Sequence, residues 1–581
     1  MIGIRRLFAA AAACFSVVVF AQVPPTVPRP SDSPSSGTIL RDQAPRQELP
    51  ISPSTAPVLP QVAPPKPALP AGTKVNVTVK DFRFSGNTVF TSAELRELVR
   101  EFIGKTLDFN GLNDAASRVQ RHYRERGYFL AVAYLPQQEI REGIVEIAVL
   151  EGRLGQINLQ VDPKTKLRES FARGILAAHL KPGDLITENS LERPLLLLRD
   201  LPDMEVTSEL GPSKTQLGAA DLTVKLSESG KKFSGYVDAD NWGNRFSGEY
   251  RLGINLNYGD LTGYGDLLSF RGFVTDENMH FGRLSYVVPL GHYGTRIGVS
   301  ATAFDYRLGK DFAPLGANGN GQVYTVYALH PLLRTRNANL FVQGAAERKD
   351  LEDKQDSVGL KVDQTITNGK LGVVGDFRDR LMSGGLNSYS ATVTGGKLEI
   401  QPDTVLAIDQ APGTGPQTAG HFSKLNVEYR RLQRITDQFN LLFAYSAQGA
   451  NKNLSAAEKM ALGGPQGVRA YPVGEAPGDT GQLGTLELRY LVPKLQVFGG
   501  DLTLSTYVDH GQVKTLAEPP AALSTVANKR SISGAGVGVS LGREGNFLFR
   551  LDIATPLDNE TPTSDPKKVD PRIWAQAIKW F

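Results

Sequence analysis

The chain carries one cysteine in 581 residues, Cys14, and it lies inside the apolar stretch near the N-terminus. Once that stretch is removed, no disulfide, zinc cluster or thiol nucleophile is possible. Cys14 sits in the middle of the stretch and not at a cleavage point, which excludes a lipoprotein. Histidine is also scarce: His122, His179, His280, His292, His330, His421 and His510 are scattered, with no H-E-x-x-H helix and no neighbouring Ser/Asp signature. Neither a metal, a cofactor nor a catalytic residue is therefore expected. A charge excess of either sign is missing, since 64 Lys and Arg against 60 Asp and Glu leave +4. With no basic cluster interleaved with aromatics, nucleic acid is not an expected partner. After the first twenty residues no apolar run is long enough for a transmembrane helix. That excludes helical spans but not a barrel, because half the residues of a barrel strand are polar.

What is present is alternation. From about Lys231 to Phe581, apolar and polar residues alternate for about ten positions, break at a Gly-, Asn- or Asp-rich turn, and alternate again. Tyr250, Leu252, Ile254, Leu256 and Tyr258 share one face of such a segment, with Arg251, Gly253, Asn255 and Asn257 opposite. Phe547, Phe549, Leu551 and Ile553 repeat the pattern, with Arg550 and Asp552 opposite. A strand has a side-chain period of two, so each segment has one apolar and one polar face. A closed cylinder that turns the apolar face to lipid and the polar face to a lumen satisfies every such segment. Seventeen candidate segments can be marked. A chain that enters and leaves the barrel on one side needs an even number, so sixteen antiparallel strands are expected. Val358–Thr367 is then expected to merge with a neighbour, and the lumen to be an aqueous channel.

Ahead of the barrel, Arg5 and Arg6, the apolar Leu7–Phe20 and the small-residue site Val19-Phe20-Ala21 read as a secretory leader over 1–21. Residues 22–73 form a proline-rich tether (Pro24, Pro25, Pro28, Pro30, Pro60, Pro64, Pro65). One island, 37–49, reads either as a short helix or as a disordered charged patch, and Pro45 limits any helix. Residues 74–153 read as a β-α-α-β-β unit. Val75, Val77 and Val79 alternate into Phe82 and Phe84, and Thr91 with Glu94 forms a capping box. Leu95, Leu98, Val99 and Phe102 face one way on a first helix, and Leu112, Ala116, Val119 and Tyr123 on a second. Residues 154–228 repeat the order, which makes an internal repeat.

Phe84-Ser85-Gly86-Asn87-Thr88, Arg126-Gly127-Tyr128-Phe129-Leu130-Ala131 and the element order resemble the polypeptide-transport-associated (POTRA) domains of outer-membrane assembly and secretion proteins. Within the barrel, 450–481 is the longest strand-free stretch, and a loop of that length is usually functional. Its Val468-Arg469-Ala470-Tyr471 resembles the V-R-G-Y tetrad of the TpsB and BamA superfamily, carried on a loop that folds into the lumen. Tyr507, Asp509 and Gly511 resemble the partner motif on the inner wall. The resemblance implies that the aspartate holds the arginine. Alternation independently sends Tyr507 and Asp509 to the lumen and His510 to the lipid. Where the superfamily has glycine this chain has Ala470, which would be strained if that position needs a left-handed backbone.

These features together resemble two-partner-secretion transporters of the haemolysin secretion/activation type, over the whole chain after the leader. The resemblance implies an all-β transmembrane barrel behind two α+β POTRA domains in the periplasm of a Gram-negative cell. It implies no enzymatic activity, and export of a large exoprotein partner of the adhesin or haemolysin kind with an N-terminal secretion domain. It further implies that outer-membrane lipid and the barrel-assembly machinery are partners, that the terminal Phe581 is the signal this machinery reads, and that island 37–49 plugs the pore. An assembly factor of the BamA or TamA kind, a barrel enzyme and a passive porin are the competing readings.

Overall fold

The computed structural model describes residues 34–43, 76–216, 218–228, 230, 232–523, 527–565, 567 and 569–581. The leader 1–21, most of the tether, and residues 44–49 of the island lie outside the described residues.

The first unit builds a three-stranded sheet from Asp81–Ser85, Val132–Tyr134 and Ile144–Leu150. Asp81–Ser85 runs parallel to the last of these, which pairs antiparallel with Val132–Tyr134. Helices Ser92–Leu98 and Phe109–Glu125 cover one face. The capping box forms: the Thr91 hydroxyl accepts from the Glu94 amide, and Glu94 accepts from the Thr91 amide. Leu95, Val99, Leu112, Ala116, Val119 and Tyr123 are all buried. The motif residues have physical reasons. Gly86 has a φ of +76° and a Cβ there would overlap the Val149 carbonyl. Thr88 and Val89 donate their amides to Glu151 at 2.5 and 2.8 Å, and the buried Tyr123 hydroxyl donates to it at 2.9 Å. Burial pushes the Glu151 carboxyl up, but these donors and the Thr88 hydroxyl outweigh it and hold its pKa below the ordinary glutamate value. Burial, aided by the same carboxylate, pushes the Tyr123 phenol up.

The second unit repeats this topology. Strand Arg153–Val161 runs parallel to Ala219–Glu228, which pairs antiparallel with Met204–Pro212; helices Glu169–His179 and Glu188–Arg199 pack on the sheet. Leu191, Leu195 and Leu198 are fully buried on the second helix. This unit docks on one end of the barrel. Asp200 accepts from Arg334 Nε and Nη2 at 2.8 and 2.6 Å, and Arg193 donates to the Pro331 carbonyl at 2.8 Å. Arg336 pairs with Glu188 and Glu192.

Sixteen strands, from Phe233–Asp240 to Arg572–Trp580, close into a barrel in which each strand is antiparallel to its neighbours. Closure comes from the last strand pairing with the first, from Gln576↔Asp240 to Trp580↔Tyr236. The backbone of Phe581 extends that seam by exchanging hydrogen bonds with Gly235 at 3.1 and 3.3 Å. Two of the seventeen candidate segments merge into one 20-residue strand, Leu360–Asp379. Its Asn368-Gly369 resembles a hairpin turn in sequence, but both residues continue the ladder on both sides. Of the alternating residues Tyr250 to Tyr258, Tyr250 precedes the strand, which runs Arg251–Gly259. Residues 245–250 belong to a loop, where the buried Phe246 packs against Phe312.

The expectation of an aqueous lumen needs correction for its far half, away from the two units. There the inward side chains are not all polar. Phe273, Phe304, Tyr306, Leu351, Ile366, Leu398 and Phe422 form an apolar cluster around a helix, Ser36–Gln43, whose Ile39 is only 1% exposed. The island is therefore helical over its first part. The helix amide and hydroxyl of Ser36 donate to Asp353 at 2.6 and 2.9 Å, and Arg251 donates to Gln43 at 2.7 Å. A segment that fills the channel replaces water as the partner of the wall, so apolar residues become favourable there.

Candidate functional site

The stretch between strands Phe439–Ala450 and Thr480–Val497 folds back into the lumen. Two short pieces, Met460–Ala461 and Pro477–Gly478, pair antiparallel and make it a narrow arm. Val468, Arg469, Ala470 and Tyr471 at its tip are all buried, Arg469 at 3% exposure.

Arg469 ends at Asp509. Its Nε and Nη2 reach Asp509 Oδ2 and Oδ1 at 2.9 and 3.0 Å, a bidentate fork, and its own amide donates to Oδ2 at 3.2 Å. The remaining guanidinium nitrogen, Nη1, donates to Glu487 at 2.7 Å and lies 3.5 Å from Asp552. The guanidinium plane lies over Tyr507, 3.1 Å from the ring centroid. Thr485 donates to Asp509 at 2.9 Å and Trp574 Nε1 donates to the Arg469 carbonyl at 2.7 Å. Planar, delocalised arginine suits this cage, since lysine could not fork onto one carboxylate while stacking on a ring.

The sheet register assembles the cage. Glu487 lies opposite Tyr507 and Thr485 opposite Asp509. Tyr507 lies opposite Gly536, Asp509 opposite Gly534, and Asp552 opposite both Gly538 and Trp574. Gly534, Gly536 and Gly538 share the lumen face of Lys529–Arg543 and leave room for what sits on them. A Cβ at Gly534 would stand 2.6 Å from the Ala470 Cβ, and one at Gly536 2.6 Å from the Tyr507 hydroxyl. Gly511 likewise seats Leu462 of the arm, whose nearest carbon would be 2.8 Å from a Cβ. Ala470 is absent from the residues with positive φ, so alanine carries no backbone strain there. Tyr471 is fully buried and donates to Asp558 and, at 3.2 Å, to the Glu560 carbonyl. His510 is exposed on the lipid face, hydrogen-bonded to Ser533 at 2.9 Å. Phe581 is about half exposed, its ring 6.0 Å from Phe233.

A second fastening holds the base of the arm. Glu458, 2% exposed, accepts from Lys349 at 2.6 Å and Lys424 at 2.7 Å on the wall. Helix Ser36–Gln43 lies on this same turn: a Cβ on Gly37 would stand 2.9 Å from the Ala457 amide. Glu458, Glu487 and Trp574 are not singled out in the sequence, and Asp552 is read there only as polar-facing. For Glu487 and Asp552 the signal is parity, since each is an acid between two lipid-facing apolar residues, Leu486/Leu488 and Leu551/Ile553. Among the described residues, no group of three or more His, Cys, Asp or Glu could hold a metal ion.

A closed sixteen-stranded barrel, docked at one end on α+β units and crossed by an arginine-pinned arm, defines an outer-membrane transporter of the Omp85 superfamily. The chain belongs to the haemolysin secretion/activation family ShlB/FhaC/HecB, whose family model matches residues 218–541, and a ShlB-type POTRA domain model matches residues 77–152. It is 29% identical over 514 residues, 88% of each chain, to the heme/hemopexin transporter protein HuxB of Haemophilus influenzae. It is 22% identical over 476 residues, 80% of each chain, to the outer membrane transporter CdiB of Dickeya dadantii. In fold it is similar to CdiB from Escherichia coli, with a TM-score of 0.67, 21% identity, and coverage of 89% of this chain and 94% of that one. BamA from Haemophilus ducreyi lacking POTRA domains 1–3 shares the fold at a TM-score of 0.51 and 13% identity, over 87% of this chain and 100% of that one. The protein is thus a two-partner-secretion transporter of the outer membrane, with its α+β units in the periplasm.

Proposed function

We propose that this transporter exports one large exoprotein partner, of the adhesin or haemolysin kind with an N-terminal secretion domain, in extended form. The observation that carries this reading is how the lumen is filled. Two separate elements, the helix Ser36–Gln43 and the arm around Arg469, occupy the channel, and both are held by side-chain contacts. A porin has no need of removable occupants, and a small solute no need of so wide a barrel.

In this reading both units are POTRA domains that hold the unfolded partner in the periplasm, and the helix leaves when the partner arrives. The Arg469 cage positions the arm, with Val468, Ala470 and Tyr471 shaping its tip and Tyr507, Asp509 and Gly511 its seat. No ATP is available in the periplasm, so folding of the partner outside supplies the drive. The chain itself performs no chemistry: His510, the histidine beside Asp509, faces lipid. Lipid contacts the outward faces, and the barrel-assembly machinery reads the strand that ends at Phe581. Depletion of the protein tests this reading against an assembly factor. Loss of a single secreted protein is expected; general loss of outer-membrane proteins would refute it.

A further inference from the structure

The end of the barrel away from the two units faces outside the cell, and one of its loops is folded onto the arm. Residues 557–571 join strands Phe547–Pro556 and Arg572–Trp580, the second of which closes the barrel. The loop is held on both sides of that closing seam. Asp565, 3% exposed, lies 3.2 Å from Arg245, in the loop after the first strand, and 3.7 Å from Arg572 at the start of the last. On the lumen side, the Tyr471 hydroxyl of the arm donates to Asp558 and to the Glu560 carbonyl.

The main tie is Glu475, fully buried on the returning piece of the arm. Its carbonyl accepts the amides of Leu462 and Gly463, on the outgoing piece, at 3.0 and 3.1 Å, which fixes its place on the arm. Its carboxylate belongs to the loop. The Thr563 amide lies 3.0 Å from each oxygen and the Ser564 amide 2.8 Å from Oε2. Both hydroxyls donate as well, at 3.0 and 2.5 Å. Consecutive backbone N–H groups turned to one point make a nest for an anion. Arg530 of the wall pairs with the same carboxylate and donates to the Thr561 carbonyl at 2.8 Å. The loop backbone is therefore folded around a charge that the arm supplies. Glutamine in its place would offer one acceptor oxygen, and its NH2 group would face N–H donors.

The arm has its own fastening. The cage of Arg469 is built from Asp509, Glu487, Tyr507 and Trp574, and the nest from Thr563, Ser564 and Arg530. The loop can thus part from the arm while the cage stays closed. We infer that Glu475 is a positioning residue that latches loop 557–571 onto the docked arm as the outer gate of the lumen, and that this loop leaves the arm during export. The traffic through the gate rests on the export reading; the latch itself does not.

The test uses the full-length transporter in the outer membrane with its partner, and the purified chain in planar bilayers. In a chain lacking 22–49, Glu475→Gln should raise single-channel conductance and open 557–571 to protease. Trp574 emission should stay unchanged, because the bond to the Arg469 carbonyl is kept. Cys14 is the chain's lone cysteine, so Glu475→Cys with Ser564→Cys can be joined by a short reducible linker. Export should be lost while the linker is closed and return once it is reduced. Undiminished export through the linked pair would overturn the gate, whether or not Glu475→Gln assembles. Unchanged conductance and protection of 557–571 in an assembled Glu475→Gln barrel would overturn the latch. Export that survives loss of the whole chain, with the conductance change still present, would remove the export reading and leave the latch standing.

Discussion

Replacing Arg469 by alanine removes the guanidinium shared by Asp509, Glu487 and Asp552, each at most 4% exposed at the side chain; Glu487 keeps Arg489 and Asp552 keeps Arg550, so Asp509 is the carboxylate that loses its cation. Breaking a buried ion pair by deleting one partner costs about 3–5 kcal/mol. Loss of the stacking on Tyr507 adds to this by up to about 2 kcal/mol. The penalty falls on the docked arm and not on the barrel, because the sixteen-stranded ladder contains no bond to Arg469. At 1.4 kcal/mol per factor of ten, 3–5 kcal/mol shifts the balance of docked and detached arm by about two to three and a half powers of ten. Arg469→Ala should therefore assemble a heat-modifiable barrel in normal amount, expose the arm to protease, and export little partner. Trp574 reports the same event, because its indole gives its hydrogen bond to the Arg469 carbonyl; its emission should shift to the red. Arg469→Lys keeps the charge but not the fork and should fall between. Wild-type export from an Arg469→Ala barrel whose arm stays protease-resistant would refute the reasoning.

Gly534→Val puts a branched side chain where a Cβ already stands 2.6 Å from that of Ala470. It should loosen the arm by about 1–3 kcal/mol, seen as faster proteolysis of 451–479 in an intact barrel. Deleting 22–49 removes the helix from the lumen and should raise single-channel conductance; unchanged conductance would mean the helix does not limit the pore. In the first unit, Glu151→Gln weakens the four-donor site and should cost about 2–4 kcal/mol in thermal unfolding of the periplasmic segment. The Glu151 carboxyl is held below its ordinary value in the folded state, so its contribution is present above about pH 4.5 and is lost as pH falls below that, through the depressed folded value. Wild type should thus lose stability on acidification more steeply than Glu151→Gln.

Local chemistry made a large part of the molecule readable. Period-two alternation is a property of neighbours in the chain, so the faces of Arg251–Gly259 and Phe547–Pro556 are visible without a structure. The capping box at Thr91 and Glu94 and the buried helix faces are equally local. Arg469 and Asp509 were readable for a different reason, by resemblance, since nothing in their neighbourhoods says that they meet. Asn368-Gly369 shows the opposite case, in which a strong turn signal is overridden by ladders on both sides.

The sequence by itself determined that the chain is a barrel behind two α+β units, because strand parity and helix period are written within a few residues of one another. Only the tertiary structure decided how the lumen is used. Glu487, Asp552 and Trp574 join Arg469 through strand register, over separations of 18 to 105 residues, and Gly534, Gly536 and Gly538 make room for Ala470, Tyr507 and Asp552. The seating of Ser36 on Asp353 spans 317 residues. Contacts of that range depend on which strands closure brings side by side, and no local pattern encodes it.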